Sequence, residues 1–152
     1  MIRLATRADL VEIATLVEEE VGSSPYSHLF TSAEINATHL RTIIFNCLHL
    51  GYIWVDARAE GIVGYLIAIR EPNVWVPSRT SLREFAWYVR PAYRGGISGG
   101  RLFVKFCEKG DELIAAGTID AYFTTRMSNT ADYDLESRGF KLTEKLYVKE
   151  CA

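Results

Sequence analysis

Hydrophobic residues recur every three to four positions in two early segments of the chain, and this spacing predicts two amphipathic helices. The first helix follows a short predicted strand over residues 2–5 and opens on a Thr6-x-x-Asp9 pattern typical of a helix cap. It closes on an acidic triplet, residues 18–20, which we interpret as a solvated helix end rather than a metal site. The second helix opens on a Thr31-x-x-Glu34 pattern. The apolar positions of the two helices are Leu10, Ile13, Ala14, Val17, Ala37, Leu40, Ile44 and Cys47.

Extended segments dominate the middle of the chain. Two predicted strands, residues 52–57 and 62–70, meet at the turn-forming pair Glu60-Gly61 and are expected to be antiparallel neighbours. A loop with two prolines then leads to a third strand over residues 82–89, which is dense in aromatic side chains. The middle of the chain therefore predicts the centre of a sheet.

Helices and strands alternate in the last third of the chain. A helix over about residues 99–116 contains Gly110, which suggests close packing at that point. A strand over residues 119–125, a short helix ending near Gly139 and a final strand over residues 140–149 follow. The order β-α-α-β-β-β-α-β-α-β shows no repeat or linker. It predicts an α/β fold in which helices cover the faces of a central mixed sheet.

Composition is that of an ordinary globular protein, with 152 residues, 49% hydrophobic and 24% charged. We therefore predict one domain over residues 1–152. A net charge of −2 provides no basic field for nucleic acid, and no apolar run approaches the length of a membrane span. The first residues lack the apolar core of a signal peptide, so the expected location is the cytoplasm.

The cysteines and histidines are spaced too widely to predict a disulfide framework or a metal site. Two of the thiols are interpreted as buried helical residues and the third as a tail thiol. The residues concerned are Cys47, Cys107, Cys151, His28, His39 and His49.

A glycine-crowded turn marks the start of the third helix. Four glycines fall within six positions, and an arginine flanks them on each side: Gly95, Gly96, Gly99, Gly100, Arg94 and Arg101. Unpaired N–H groups at a helix N-terminus attract anions, and missing Cβ atoms let a phosphate approach them. The Gly-Lys-Ser/Thr of a nucleotide P-loop and the G-x-G-x-x-G of a dinucleotide fold are both absent. A diphosphate cradle and a tight connection without a ligand remain as interpretations.

Over nearly its full length the chain resembles the GNAT superfamily of acyl-CoA N-acyltransferases, from Ile2-Arg3-x-Ala5-Thr6-x-x-Asp9 to Gly139-Phe140. The strongest match is Val89-x-Pro91-x-Tyr93-Arg94-Gly95-Gly96, which resembles the pyrophosphate loop of the family, usually Gln/Arg-x-x-Gly-x-Gly/Ala. Arg94 matches its first position and Gly99 its last, whereas Ile97 stands where the family usually has glycine. The Arg-Gly-Gly variant resembles phage-encoded members.

The resemblance implies that acetyl-CoA lies where the fourth and fifth strands splay apart. Backbone groups of residues 87–89 would then pair with the pantetheine arm, and the amides of residues 97–100 would hold the diphosphate. Asn129 stands where the family often places a polar residue near the pantetheine, although a plain helix cap explains it equally well. The implied coenzyme A contacts are Trp87, Tyr88, Val89, Arg94, Gly95, Gly96, Ile97, Ser98, Gly99, Gly100, Arg101 and Asn129.

The implied reaction moves an acetyl group from acetyl-CoA to a primary amine. Such a reaction needs a base for the amine and a donor for the thioester oxygen. Glu84 is the candidate base, since it interrupts an aromatic strand on which the family places its bases. An exposed glutamate paired with Arg83 or Arg79 is the alternative. By analogy with the family, the Val89 N–H is the candidate donor to the carbonyl.

The proton donor for the departing thiolate is less defined. Many family members carry a tyrosine four residues before the Gly-Phe pair, and this chain has Leu135 there. We predict that Tyr133 takes the place of that tyrosine as the catalytic proton donor. Tyr122, Tyr88 and solvent are the alternative donors. A thiol leaves readily, so the reaction does not depend on a dedicated acid.

The acceptor is a small-molecule, peptide or protein amine. Aromatic residues that can line its pocket are Tyr26, Phe30, Trp75, Phe85, Trp87 and Tyr122, with Phe85 and Trp87 expected on one strand face as core residues. Leu135 and Ile97 both depart from the family pattern. A non-catalytic acyl-CoA-binding or regulatory module is therefore the alternative function. A purely structural role for the glycine-crowded turn is the third hypothesis. Dimers are common in the family, but nothing in the sequence requires a homodimer.

Overall fold

The strands form one mixed sheet. The computed structural model describes residues 1–25, 27–29, 35–125 and 134–145. In order, its elements are β1 (Ile2–Leu4), α1 (Leu10–Ser23), α2 (Ala37–Leu50), β2 (Gly51–Arg58), β3 (Gly61–Pro72), β4 (Thr80–Val89), α3 (Ser98–Ala115) and β5 (Ala121–Phe123). The strand order is β1-β2-β3-β4-β5; β1 to β4 are antiparallel neighbours, and β4 and β5 are parallel. The predicted fold class is confirmed.

The sheet separates two hydrophobic cores, because alternate residues of a strand point to opposite faces. Tyr65 and Ile67 of β3 pack with α1 and α2 on one face. The alternate residues of the same strand, Leu66 and Ala68, pack with α3 on the other face. No helix within the described ranges is both long and apolar enough to cross a membrane.

A charged cap joins β1 to α1. The Asp9 carboxylate accepts hydrogen bonds from the Thr6 N–H at 2.7 Å and from two Arg3 nitrogens at 2.8 Å each. The Arg3 hydrogen bond is the main reason why the pKa of Asp9 lies well below its usual value. The Thr6-x-x-Asp9 pattern therefore does form a cap, with one 3₁₀ turn (Arg7–Asp9) before α1.

The interpretation of residues 18–20 as a solvated helix end is wrong for two of the three. Glu19 forms an ion pair with Arg90 at 2.9 Å, and Glu20 accepts a hydrogen bond from the buried Tyr65 hydroxyl. Helical spacing turns these two side chains toward the sheet, while Glu18 faces solvent. The helix also continues past the triplet to Ser23.

The second helix begins later than the sequence pattern predicts. It opens at Ala37, and the Asn36 side chain caps it by accepting from the His39 N–H at 2.9 Å. Asparagine is a preferred N-cap because its side-chain oxygen satisfies one of the unpaired amides. The pattern proposed for this cap, Thr31-x-x-Glu34, lies outside the described residues.

The predicted final strand does not form over the described part of its range. Residues 140–145 have no strand partner among the described residues, and residues 146–149 lie outside them. The Phe140 ring instead packs against Phe103 at 5.7 Å and Tyr122 at 5.3 Å between centroids. Just before it, a 3₁₀ turn ends at Gly139, whose φ of 85° favours glycine.

Candidate active site

The fourth and fifth strands open into a fork. β5 pairs with β4 at only three positions, Ser81, Leu82 and Arg83. Beyond Arg83, β4 continues to Val89 without a strand partner on that side among the described residues. The side chain of Glu84 therefore stands at the vertex of the fork.

A β-bulge at Phe85 changes the side-chain alternation within the fork. Phe85 is 51% exposed, whereas Trp87 packs on Phe103 of α3 with 5.2 Å between ring centroids. The expectation that Phe85 and Trp87 share one buried face is therefore wrong, since the extra residue shifts the register between them.

Backbone groups of β4 point into the fork. The Arg90 N–H bonds the Val63 carbonyl at 2.9 Å, and hydrogen-bonded pairs alternate along an antiparallel ladder. The N–H and C=O groups of Trp87 and Val89 consequently face away from β3. The Val89 carbonyl accepts from Arg94 Nε at 2.7 Å, while its N–H has no acceptor among the described residues.

The Glu84 carboxylate is buried and lacks an ion pair with any described residue. It is 7% exposed and accepts hydrogen bonds from the Thr125 N–H at 2.9 Å and from Thr124 Oγ1 at 3.2 Å. Burial raises its pKa to about 7, these hydrogen bonds oppose the rise, and the charge of Glu20 adds to it. A carboxylate with this pKa can exchange a proton near neutral pH.

The alternative interpretation of Glu84, an exposed glutamate in an ion pair, does not hold. Arg83 pairs with Glu71, and Arg79 pairs with Asp120. Both arginines are thus engaged elsewhere.

The amides of the glycine turn, residues 95–100, lack hydrogen-bond acceptors among the described residues. Gly95 has a φ of 78°, and nothing lies within 4 Å of where its Cβ would stand. The turn is therefore open to an anion rather than filled by side chains.

Ser98 anchors this turn to the sheet. Its hydroxyl is buried, donates to the Asp56 carboxylate at 2.7 Å and accepts from Arg58 at 2.8 Å. The whole residue is buried, and its side chain points toward β2. The first turn of α3 is held against β2 by this network.

The two flanking arginines occupy different places. The Arg94 guanidinium lies over the Tyr88 ring, 5.2 Å from its centroid, and its terminal nitrogens donate to no described residue. Arg101 is exposed in the first turn of α3, and Ile97 before it is 62% exposed. Both positive charges stay available at the mouth of the turn.

Of the candidate proton donors, the structure describes Tyr122 and Tyr88 but not Tyr133. Tyr133 and Asn129 lie outside the described residues. The Tyr122 hydroxyl donates to Asp111 of α3 at 3.0 Å, and Leu135 packs into the core on the α3 side. Of the aromatic acceptor candidates, Tyr26 and Phe30 also lie outside the described residues, and Trp75 is 88% exposed at the far end of β4 from the glycine turn.

Sequence reasoning missed Glu20 as a site residue. Its half-buried carboxylate accepts hydrogen bonds from the Tyr65 hydroxyl and the Trp87 backbone N–H, so it reaches the fork from α1. Helical spacing could have found it, because Glu20 lies seven residues after Ile13 and four after Leu16 on the buried face.

Three solved structures of similar fold are acetyltransferases. One from Trypanosoma brucei has a TM-score of 0.68 at 19% identity, covering 99% of this chain and 99% of that one. A GNAT family acetyltransferase from Staphylococcus aureus has a TM-score of 0.63 at 14% identity, covering 99% and 98%. An aminoglycoside acetyltransferase from an uncultured soil metagenomic sample, in complex with sisomicin, has a TM-score of 0.61 at 16% identity, covering 100% and 93%.

No protein-family profile and no curated protein sequence matches this chain. The similarity to these acetyltransferases therefore lies in the three-dimensional fold. It extends over nearly the whole length of the chain.

Proposed function

We propose that this protein is a GNAT-type N-acetyltransferase that moves an acetyl group from acetyl-CoA to a primary amine. The observation that carries the proposal is the juxtaposition of a buried carboxylate, Glu84, with the fork where β4 runs on beyond its last pairing with the parallel strand β5. The acetyltransferase fold of similar structures supports it. An aminoglycoside acetyltransferase among them supports an amine as the acceptor class.

The chain offers groups that fit each part of acyl-CoA. The N–H groups of residues 95–100, which have no acceptor among the described residues, suit a diphosphate together with Arg94 and Arg101 beside them. The fork-facing groups of Trp87 and Val89 suit the amide-bearing pantetheine arm. The Val89 N–H suits the carbonyl oxygen of the thioester.

Glu84 starts the proposed reaction by accepting a proton from the ammonium form of the amine. The neutral nitrogen then attacks the thioester carbon, so a C–N bond forms as the C–S bond breaks. The nitrogen loses its second proton and the thiolate gains one. The net change converts an ammonium ion and a thioester into an amide, a thiol and one released proton.

Several finer points stay predictions. These are Tyr133 as a proton donor, Asn129 beside the pantetheine, a phage-type origin, a cytoplasmic location and a homodimer. The leucine at position 135 favours a second candidate function, a non-catalytic acyl-CoA-binding or regulatory module, because no hydroxyl stands there. A thiol leaves readily without a dedicated acid, so we rank the enzyme first.

Two measurements on the purified protein test the proposal. Isothermal titration with acetyl-CoA should give saturable binding, and thiol release should appear when primary amines are added. Binding without thiol release over a broad amine panel would favour the binding module. No binding at high micromolar acetyl-CoA would overturn both functions.

A further inference from the structure

Glu20 reaches the fork from the helix side of the sheet. The Tyr65 hydroxyl that donates to its carboxylate is completely buried, and the second donor, the Trp87 N–H, is one of the amides that face the fork. The carboxylate is itself only half-buried. Glu20 is therefore not sealed off from a ligand in the fork.

The two neighbouring glutamates of α1 have different partners. Glu19 is neutralised by Arg90 through a two-pronged ion pair, at 2.9 and 3.1 Å. Glu20 has no salt bridge with a described residue, although Arg94 attracts it from beyond ion-pair distance. Glu20 also lies close enough to Glu84 for the two carboxylates to repel. A cation placed between them would relieve that repulsion.

We propose that Glu20 binds the ammonium group of the acceptor amine and so positions it beside Glu84. This role rests on the proposed acetyltransferase function and specifies its substrate class. The acceptor is an alkylamine that is cationic at neutral pH, rather than an arylamine that is neutral there. Glu20 holds the cation by a charge-assisted hydrogen bond, and Glu84 then takes the proton.

Steady-state thiol release with two acceptor classes tests this role. The probes are phenethylamine, which is cationic at neutral pH, and aniline, which is neutral. For Glu20→Gln we expect the KM for phenethylamine to rise about tenfold or more. This is the loss of affinity expected when one charge-assisted hydrogen bond is removed. The KM for aniline and the KM for acetyl-CoA should stay unchanged, because neither interaction uses the Glu20 charge.

Two control variants separate charge from structure. Glu18→Gln makes the same charge change at an exposed position of the same helix and should leave every KM unchanged. Tyr65→Phe removes one hydrogen bond to the Glu20 carboxylate but keeps the carboxylate itself, so its KM for phenethylamine should rise less than that of Glu20→Gln. If Glu20→Gln does not fold, Glu20→Asp takes its place in the test. The shorter side chain moves the charge back by one methylene, so the KM for phenethylamine should again rise.

The outcomes distinguish this role from the function on which it rests. Thiol release with an unchanged phenethylamine KM in Glu20→Gln would overturn the role alone. An equal rise for both amines, or an equal rise in Tyr65→Phe, would show that Glu20 acts structurally and would also overturn it. Wild-type protein that releases no thiol with any amine would overturn the acetyltransferase function and this role together.

Discussion

Glu84 combines the two properties that a base for an ammonium group needs. It stands where a strand loses its partner, and its burial raises its pKa to about 7. The sequence identified this residue because it interrupts an aromatic strand, but local pattern left open whether it was exposed. Its hydrogen-bond donors, Thr124 and Thr125, are distant in sequence, and its burial also arises from tertiary packing, so only the fold decided its proton affinity.

The change Glu84→Gln should lower kcat for amine acetylation about 100-fold, since general base catalysis typically contributes that much or more. Affinity for acetyl-CoA should stay unchanged. In the wild type, kcat/KM for the amine should rise with pH through about 7 as the carboxylate ionises, and the variant should lack this rise. Thiol release across a pH series measures both effects. A wild-type rate in the variant would remove Glu84 from the base role.

The change Arg94→Ala should weaken acetyl-CoA binding about tenfold, because it removes a positive charge beside the amides of the glycine turn. Isothermal titration measures the loss. Arg41→Ala removes the same charge from an exposed position on α2 and should leave the affinity unchanged. Equal affinities for the two variants would argue against a diphosphate at this turn.

At the scale of elements, α3 is the helix that the sequence predicted most closely. Its apolar spacing and flanking glycines are local signals, and its observed bounds, Ser98–Ala115, differ by one residue at each end from those expected. The fork could not be predicted with the same accuracy. It depends on how far β5 follows β4, and β5 is a strand of three residues.

Gly110 lets α3 pack closely against β5. A Cβ at this position would lie 2.6 Å from the Tyr122 ring, which is too close for a real contact. Gly110→Ala should therefore reduce the free energy of unfolding by about 1–3 kcal/mol through overpacking, despite the better helix propensity of alanine. Gly22→Ala in α1 meets nothing within 4 Å and should increase stability by up to about 1 kcal/mol. Urea denaturation compares the two, and stabilisation by both would contradict this packing.

At the scale of the whole molecule, the sheet divides the protein into a core under α1 and α2 and a core under α3. The candidate site lies where these two halves meet, at the edge that β4 leaves open. Glu20 comes from one half and the glycine turn from the other. The proposed catalysis at this place therefore depends on the packing of both halves.

Burying Glu84 should make the stability of the whole protein depend on pH. The folded pKa of about 7 exceeds the ordinary value of 4.5, so the native state keeps a proton that the unfolded chain releases. The contribution of Glu84 to the free energy of unfolding should therefore fall as pH rises from about 4.5 to about 7, by on the order of 3 kcal/mol. Glu84→Gln lacks this titration. Parallel pH profiles for the two proteins in urea denaturation would refute the expectation.

The sequence by itself determined α1, α3, the glycine turn and the order of the main elements, because each depends on residues that are close along the chain. It also pointed to Glu84. The tertiary structure alone decided the fork, the bulge that separates Phe85 from Trp87, and the approach of Glu20 to Tyr65. These features arise from contacts between residues far apart in sequence, so no local pattern could specify them.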